Sequence, residues 1–478
     1  MITRSSTQRH LEPPREARRH GFSWATLLVV LGPALWAYWP GAAEGREDPR
    51  PPNLVIILAD DLGYADLSCY GNDRFATPHL DQLAREGLRF TDFHANGAVC
   101  SPTRAALVTG RYPQRTGVDE VIAADPARGM RDKDGLRLEE RTFADLLGAA
   151  GYRTGLMGKW HLGYASRFHP LRRGFYEFHG YLSGNVDYQA HIDQAKFADW
   201  WRDEALHEEP GYSTHLITAH ALRFIEAHRQ GPFCLYVAHE AVHYPYQGPK
   251  DPPVRGPQSQ EPLKGPEIQR AYGQMLQELD GGVGQIVALL QRLGLDRDTL
   301  VFFFSDNGGT THANNAPLSG FKGSLLEGGH RVPAIAWWPG RIAAGRITAQ
   351  TAMSMDLLPT MLELARVAAP ANRKLDGVSL APLLLRDEPL PERTLFWQFQ
   401  GRQAVRQGPW KLLVNDSAGG VKPAKKRRQE ESLAPRLFNL AEDIAEGKDL
   451  AAQQPQKVQE LLSALEAWCK EVTARPAP

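Results

Sequence analysis

Two short polar clusters offer the oxygen ligands that a hard metal ion prefers. Asp60-Asp61 ends one continuous apolar run, and Asp306-Asn307 ends another far along the chain. Carboxylate and amide oxygens suit calcium or magnesium better than zinc. Asp60-Asp61 alone is more typical of a turn or a helix cap, but the second acid–amide pair, placed after a separate apolar run, favours a metal. We therefore predict one calcium or magnesium site formed by Asp60, Asp61, Asp306 and Asn307.

The segment Cys100-Ser101-Pro102-Thr103-Arg104 predicts a nucleophile at the start of an anion-binding helix. Ser101 as the N-cap and Pro102 as the first helical residue would begin a helix that runs through Leu107. Cys100 would then lie at the positive end of the helix dipole with Arg104 one turn away, an arrangement that favours an anion. The alternative is a small buried cysteine before an ordinary helix, and this pentapeptide alone does not decide between the two.

The elements that must position these residues are predicted from apolar runs of strand length that end in polar clusters. The runs are Asn53–Ala59, Gly151–Met157, Phe233–Ala238 and Thr299–Phe304. Unbroken apolar runs are typical of strands buried on both faces of a parallel sheet. Helical patterns separate them, at 77–86, 142–150, 213–230 and 268–293. This alternation predicts an α/β fold, in which the polar clusters converge at the carboxyl edge of the sheet.

Five motifs in order resemble the signatures of the formylglycine-dependent sulfatases, the group of the arylsulfatases and N-acetylgalactosamine-6-sulfatases. They are Asp60-Asp61-Leu62-Gly63-Tyr64, Cys-x-Pro-x-Arg at 100–104 followed by Ala105–Gly110, Gly151–His161, Ser305-Asp306-Asn307-Gly308 and Phe321–Gly329. The resemblance covers roughly residues 52–415. It implies an alkaline-phosphatase-like α/β fold: a large mixed, mostly parallel sheet sandwiched by helices, with a smaller C-terminal α+β subdomain.

The resemblance also implies a modified nucleophile and a particular metal. In that family the cysteine is oxidised to formylglycine (3-oxoalanine), so Cys100 is the expected position and a formylglycine-generating maturase the expected partner. Calcium is implied at Asp60, Asp61, Asp306 and Asn307, with the modified side chain of Cys100 facing the metal.

The implied reaction is sulfate ester hydrolysis. The ester oxygens repel nucleophiles, so cations must spread the charge of the transition state. Lys159 and Lys322 lie in matching motifs, although a lone lysine is more often a surface charge. By resemblance Arg104 steadies the hydrated aldehyde, one hydroxyl of which attacks sulfur and releases the alcohol. His161 then takes a proton from the second hydroxyl as sulfate leaves, and His243 contacts the sulfate or the leaving oxygen; histidine suits both tasks because its pKa lies near neutrality.

Two residues that lie near the motifs, Ala65 and His239, are not expected to take part in the reaction. Relatives often have glycine where this chain has Ala65, a change that is tolerated unless the backbone there needs a positive φ. We interpret His239, four residues before His243, as a structural or supporting residue.

Residues 1–43 are predicted to be an export signal. A basic stretch over residues 1–22 is followed by the apolar run Trp24–Trp39 and the small residues Gly41-Ala42-Ala43. The run is short for a membrane span and contains Pro33, which favours a cleaved signal over a retained anchor. We therefore expect a periplasmic or secreted protein that meets the membrane only through this segment, and Arg18-Arg19 hints at twin-arginine export.

Net charge and cysteine content argue against a nucleic-acid-binding protein and against a disulfide-rich scaffold. Lys plus Arg and Asp plus Glu both total 55, so net charge gives no reason to expect a nucleic acid partner. The 4 cysteines of an exported chain of 478 residues do not form a disulfide scaffold; with Cys100 consumed, at most one bridge is possible.

The chain is predicted to divide into a catalytic domain at 50–380 and a subdomain at 381–478. Short strand patterns at 396–400, 404–406 and 410–414 precede a helical pattern at 456–472. Segments 247–266 and 416–435 are rich in Pro, Gly and charge, which predicts surface loops. Within the second, the basic run 425–428 is interpreted as a solvated loop rather than a polyanion patch.

We predict a sulfuric ester hydrolase acting on a sulfated saccharide or an aryl sulfate. One rival is a phosphatase or phosphodiesterase, which would use a Ser or Thr nucleophile and two zinc ions with several histidine ligands. The other is a non-enzymatic binding protein that lost a catalytic residue, and no motif residue is missing. Sugar-stacking candidates, each of which could equally be core, are Tyr181, Tyr188, Trp200, Trp201 and Trp397.

Overall fold

The computed structural model describes residues 50–124, 134–416 and 434–473. The predicted signal at 1–43 and the basic run at 425–428 lie outside these ranges. The described residues belong to one compact unit that begins at Arg50. Among the described helices, none combines the length and the apolar character that crossing a membrane requires.

The described residues form two sheets and flanking helices. The strands are β1 (Asn53–Ala59), β2 (Leu88–His94), β3 (Arg153–Lys159), β4 (Glu177–Tyr181), β5 (Trp201–Arg202), β6 (Ala205–Leu206), β7 (Phe233–Ala238), β8 (Thr299–Ser305), β9 (Arg331–Trp337), β10 (Arg346–Thr348), β11 (Ala352–Met353), β12 (Thr394–Phe399), β13 (Arg402–Gln407), β14 (Trp410–Val414) and β15 (Arg436–Asn439). The helices are α1 (Pro78–Glu86), α2 (Cys100–Thr109), α3 (Pro113–Thr116), α4 (Phe143–Ala149), α5 (Ser213–His228), α6 (Pro266–Arg292), α7 (Glu327–His330), α8 (Leu357–Leu364), α9 (Ala381–Arg386) and α10 (Pro455–Thr473).

The large sheet has 11 strands, ordered β10-β2-β9-β8-β1-β7-β3-β4-β5-β6, with β11 also paired to β2. Its centre, from β8 through β4, is parallel, and antiparallel pairs flank it on both sides. The four central strands predicted from apolar runs are present, although β3 begins two residues later than the run suggested. The predicted mixed, mostly parallel sheet covered by helices is confirmed. The antiparallel pair β2 and β9 was not predicted. Polar residues interrupt β2, whereas β9 does carry an apolar run, Val332–Trp337, which contains Pro333, a residue that is rare inside central strands.

Helices cover both faces of this sheet. Apolar side chains of β1 alternate between two cores: Leu54, Ile56 and Leu58 lie in one, and Val55 and Ile57 in the other. The two cores explain the unbroken apolar runs, because each side of a central strand packs against helices.

The second sheet is antiparallel, in the order β12-β13-β14-β15, and α10 packs against it. Three of its strands and the helix were predicted, with boundaries within two residues, whereas β15 was not. Its core also contains residues from before position 381, including Val99, Ala106 and Leu325. The C-terminal sheet therefore shares apolar packing with the segments around α2 and before α7.

Candidate active site

The two acid–amide pairs meet at the carboxyl edge of the large sheet. Strands β1 and β8 are parallel neighbours, with Ala59 opposite Ser305, so the residues that follow both strands emerge side by side. The Asp61 backbone N–H donates to Asp306 Oδ1 at 3.3 Å, and Asn307 Nδ2 donates to Asp61 Oδ1 at 2.7 Å. All four carboxylate and amide side chains, those of Asp60, Asp61, Asp306 and Asn307, are buried. Strand pairing alone thus brings together groups that are distant in sequence.

Cys100 is the first residue of α2, and its thiol points into this acidic group. Its Sγ donates to Asp60 Oδ1 at 3.6 Å and accepts from Lys322 Nζ at 3.5 Å. Burial raises the pKa of the Cys100 thiol to about 12, with the neighbouring lysines opposing this. The prediction that Ser101 caps the helix was wrong: Val99 is the N-cap, and Ser101 Oγ instead accepts from the backbone N–H of Ile122 at 3.2 Å. Cys100 nevertheless keeps its place at the positive end of the helix.

Arg104 lies on the same face of α2 as Cys100, since residues four apart on a helix are neighbours. Its Nη2 and Nε donate to Asp306 Oδ2 at 2.8 and 3.1 Å, and its Nη1 donates to the Lys159 carbonyl at 3.2 Å. The guanidinium is fully buried. Such a fork geometry restrains both the helix and Asp306, so Arg104 links the helix that begins at Cys100 to the end of β8.

Each predicted lysine is paired with one of the aspartates that follow β1. Lys159, at the end of β3, donates to Asp60 Oδ2 at 2.5 Å, and Lys322 donates to Asp61 Oδ1 at 2.7 Å. Burial alone would lower the pKa of both lysines, but the adjacent carboxylates outweigh it and the pKa of each is raised. Burial would likewise raise the pKa of Asp61, yet Lys322 and His243 hold it low. Asp61 and the two lysines are therefore present in ionised form.

The two predicted histidines border the same site. His243 Nε2 lies 3.6 Å from Asp61 Oδ2, while its Nδ1 bonds to the Tyr244 carbonyl at 2.6 Å. His161 Nε2 donates to the Ile122 carbonyl at 3.0 Å, and its Nδ1 has no hydrogen-bond partner among the described residues. Burial, followed by the nearby lysines, lowers the pKa of both rings. His161 is therefore neutral, with its Nδ1 lone pair unused.

His161 has a left-handed backbone conformation, and the backbone of Gly184 packs closely against its ring. It adopts a left-handed conformation with φ of 57°, as does Asp61 with φ of 60°. Gly184 packs against its ring so closely that a Cβ there would lie 2.9 Å from His161 Nε2. Non-glycine residues in this region are uncommon and cluster at functional sites. The ring position is thus imposed by its surroundings.

The side chains gathered here include carboxylate oxygens that a hard cation prefers, beside one thiol and one imidazole. One ligand atom from each of Asp60, Asp61, Cys100 and His243 lies within 4.8 Å of the others. Asn307 Oδ1 is buried and lacks a partner in the part of the chain that the structure describes, which leaves one more oxygen donor available. Asp306 differs from the prediction in its surroundings, because Arg104 and the Asp61 N–H already contact its two oxygens.

Several supporting residues lacked a sequence signal. Tyr236 lies within an apolar strand run, yet its hydroxyl accepts from Arg104 Nη1 at 3.4 Å. Ile122 contributes only a carbonyl, which the sequence pattern does not reveal. His239 is fully buried, with burial lowering its pKa to about 3, which agrees with a structural role. Ala65 does not adopt a positive φ, so alanine is tolerated there as expected.

The suggested stacking residues are mostly core. Tyr181, Tyr188, Trp200 and Trp397 are at most 3% exposed, so they offer no ring face to a solvent-borne sugar. Tyr244, which sequence reasoning passed over, is 41% exposed and its ring stacks on that of His243 with centroids 4.6 Å apart. Tyr244 therefore places an exposed aromatic ring beside His243.

Comparisons with known proteins agree with this geometry. The family model described as Sulfatase matches residues 52–367. The chain is 36% identical to N-acetylgalactosamine-6-sulfatase of Mus musculus over 408 residues, covering 80% of this chain and 75% of that protein. It is 37% identical to arylsulfatase A of Bos taurus, covering 90% of each.

A solved structure shows the same fold. The crystal structure of Ps i-CgsB matches with a TM-score of 0.76 at 29% identity, covering 88% of this chain and 93% of that chain. The fold is thus the alkaline-phosphatase-like one that the motifs implied. With a family match over most of the chain and curated relatives that align over most of their own length, the chain belongs to the sulfatase family and is a sulfuric ester hydrolase.

Proposed function

We propose that this sulfatase hydrolyses sulfate esters of carbohydrates with a formylglycine made from Cys100, beside a bound calcium ion. The observation that carries the proposal is the position of the Cys100 side chain. It begins a helix, lies between Asp60 and Lys322, and is close enough to Lys159 and Lys322 for their charges to oppose the rise in its pKa. A site that balances buried carboxylates with buried cations is suited to a small, highly charged anion.

Calcium would be held by Asp60, Asp61, Asp306 and Asn307, with the side chain at position 100 facing it. The fit is supported by the all-oxygen donor set and by the buried, unpartnered Oδ1 of Asn307 among the described residues. The bound cation would withdraw negative charge from the sulfate oxygens, and a hydrated formylglycine would supply the attacking hydroxyl.

The chain's own cations orient and neutralise the sulfate group. Lys159 and Lys322 are each held by a different aspartate, so both ammonium groups are fixed at the site before an ester binds. Arg104 is too fully engaged with Asp306 to move, and its role is to hold the residue at position 100 in register with the end of β8. Preorganised charge of this kind stabilises the transition state because it need not rearrange during the reaction.

The histidines handle protons. The free Nδ1 lone pair of His161 is available to accept a proton from the residue at position 100. His243 donates Nδ1–H to the Tyr244 carbonyl, so its Nε2 faces the site. A proton on that Nε2, favoured by the negative charge of a bound sulfate ester, would stabilise the departing oxygen.

Sulfated saccharides are the proposed substrate class. Ps i-CgsB, at 29% identity and a TM-score of 0.75, was solved in complex with k-i-k-neocarrahexaose. The exposed ring of Tyr244 beside His243 offers an apolar face to a sugar that carries the ester. An aryl sulfate, whose leaving group is flat and good, should serve as a small substrate.

We further propose that the protein is exported, that Cys100 is oxidised by a maturase, and that the chemistry is confined to the first part of the chain. The basic, apolar and small-residue pattern of residues 1–43 supports export to the periplasm or outside the cell, and oxidation of Cys100 requires a formylglycine-generating maturase. Residues 50–380 contain every side chain assigned a chemical role. Residues 381–478 would close the site without taking part in the chemistry.

The test is co-expression with a maturase, followed by mass spectrometry of the peptide that contains Cys100. We expect the mass of an aldehyde in place of a thiol, and turnover of an aryl sulfate and of at least one member of a sulfated saccharide panel. Cys100→Ala should abolish turnover, whereas Cys234→Ala, at a buried cysteine of β7, should not. Sulfatase activity that survives in purified Cys100→Ala would contradict the proposal.

A further inference from the structure

The backbone next to Lys322 is held by the C-terminal sheet. The Lys322 N–H donates to the Gly309 carbonyl at 2.9 Å, and the Gly323 N–H donates to the Ala98 carbonyl at 2.7 Å. The Gly323 carbonyl accepts from Arg402 Nη2 at 2.8 Å. Gly323, the residue that follows Lys322, is therefore bound through its N–H to the segment before Cys100 and through its carbonyl to the first residue of β13.

Arg402 is itself restrained. Its guanidinium lies 5.3 Å from the ring centroid of Phe399, across the β12–β13 turn, and 3.9 Å from Asp416. The side chain is 15% exposed. A stacked guanidinium with a nearby carboxylate has little freedom to reorient, so its hydrogen bond to Gly323 is directed.

The other end of this segment, Gly323–Glu327, is also bound by the C-terminal region. The Glu327 N–H donates to Glu446 Oε2 at 2.6 Å, and Lys411 Nζ donates to Glu327 Oε1 at 2.8 Å. Lys411 is fully buried and also contacts Glu446 Oε1 at 2.9 Å. The Gly323–Glu327 segment is thus hydrogen-bonded at both of its ends to residues after position 381.

Glu327 also belongs to a cluster whose residue types could bind a metal, but its cationic partners oppose that role. Glu327, His94 and His330 place ligand atoms within 4.8 Å of one another, as a metal site would. However, Lys411 occupies one carboxylate oxygen, and the other lies 3.3 Å from Arg331 Nη1. Those cations already neutralise the carboxylate, so the cluster serves as an anchor and offers little to a metal.

The turn between β12 and β13 also contacts the segment that holds His161. The Gln400 N–H donates to Glu120 Oε1 at 2.9 Å, two residues before Ile122, whose carbonyl accepts from His161. One turn of the C-terminal sheet therefore contacts the neighbours of two proposed catalytic residues.

We propose that Arg402 is a positioning residue that places the Lys322 ammonium by fixing the Gly323 carbonyl. The stem of Lys322 has two fixed ends, because its ammonium contacts Asp61 and Cys100 and its backbone is held beside Gly323. Since the stem is flexible, it cannot orient the ammonium by itself once the backbone end is released. Without the Arg402 bond, Gly323 keeps the bond of its N–H to Ala98 but its carbonyl is released, and we expect the Lys322 ammonium to lose its fixed distance to Asp61 and to position 100. The inference rests on the proposed role of Lys322 in sulfate binding.

The test compares variants of the matured, calcium-loaded enzyme. Arg402→Met removes the donors but keeps an apolar stem over Phe399, and Arg402→Lys returns one donor. Arg436→Met is the matched control, because Arg436 stacks on Phe438 of the same sheet and contacts the Asp416 carbonyl without reaching the site. Each change is made in wild-type and in Lys322→Ala backgrounds, with kcat and KM for an aryl sulfate and the inhibition constant of inorganic sulfate as readouts.

Arg402→Met should lower kcat about tenfold to a hundredfold, the effect of a small misplacement of a catalytic group, and weaken sulfate inhibition. Arg402→Lys should recover part of both, and Arg436→Met should leave both unchanged. In the Lys322→Ala background, Arg402→Met should cause no further loss.

An equal loss in both backgrounds would overturn the inference, because Arg402 would then act independently of Lys322. Wild-type kinetics in Arg402→Met would overturn it as well, leaving the proposed function intact. Full activity in Lys322→Ala would instead remove Lys322 from the proposed function, and the inference with it. Should Arg402→Met fail to fold, Arg402→Lys takes its place in both backgrounds. A partial loss of kcat and of sulfate inhibition that disappears in Lys322→Ala would support the inference, and wild-type values, or an equal loss in both backgrounds, would overturn it.

Discussion

Replacement of Lys159 by methionine separates the contribution of a buried cation to catalysis from its contribution to stability. Lys159 and Asp60 are both fully buried, and Lys159 Nζ lies 2.5 Å from Asp60 Oδ2. Methionine retains most of the apolar stem and removes the charge. Asp60 then keeps only Arg104 Nη2, at 3.5 Å, as a cationic partner for that oxygen.

Two magnitudes follow from this geometry. Removing one partner of a buried ion pair costs about 3–5 kcal/mol in free energy of unfolding, and the remaining Arg104 contact points to the lower end of that range. Removing one preorganised group that stabilises developing charge costs about a hundredfold to a thousandfold in kcat. Calcium should restore part of the lost stability, because a dication offsets the uncompensated carboxylates of the native state only.

The assay is urea denaturation with calcium or with a chelator, beside aryl sulfate kinetics of the matured enzyme. Lys374→Met is the control: Lys374 pairs with Glu471 at 2.7 Å, but the side chains are 66% and 50% exposed. That surface pair should contribute less than about 1 kcal/mol. A Lys159→Met enzyme with kcat within tenfold of wild type, or one no less stable than Lys374→Met, would refute this reasoning.

Three further predictions concern pH, substrate and metal. Burial raises the pKa of Glu240 from 4.5 to about 8, so the native state retains a proton that the unfolded chain releases, and stability should fall as pH rises through this window. Glu240→Gln should flatten that fall and, at about 1.4 kcal/mol per pKa unit, add about 4 kcal/mol at pH 8, measured by denaturation across pH. Tyr244→Ala should raise KM for a sulfated saccharide about threefold to tenfold, while Tyr244→Phe, which keeps the ring, stays near wild type; an unchanged saccharide KM in Tyr244→Ala would contradict a stacking role. Asp306→Ala should abolish both turnover and the calcium-induced rise in Tm, and an unchanged calcium response would exclude Asp306 as a ligand.

The sequence was sufficient for the parts of this protein that depend on local pattern. Unbroken apolar runs predicted the central strands, since a strand buried on both faces has no polar alternation. The polar clusters that end those runs predicted one shared edge, because parallel neighbours such as β1 and β8 must end side by side. The motif order also predicted the family, and the family match supports it.

Tertiary packing decided what depends on partners distant in sequence. The start of α2 at Cys100 could not be predicted, because the Ser101 hydroxyl bonds to Ile122 instead of capping the helix. Tyr236 and Arg402 carry no motif, and each acquires its role from one hydrogen bond made across the fold. Strand periodicity reports which side of a residue is buried, but not which residue of another element fills the space against it. That information exists only once the two sheets have packed together.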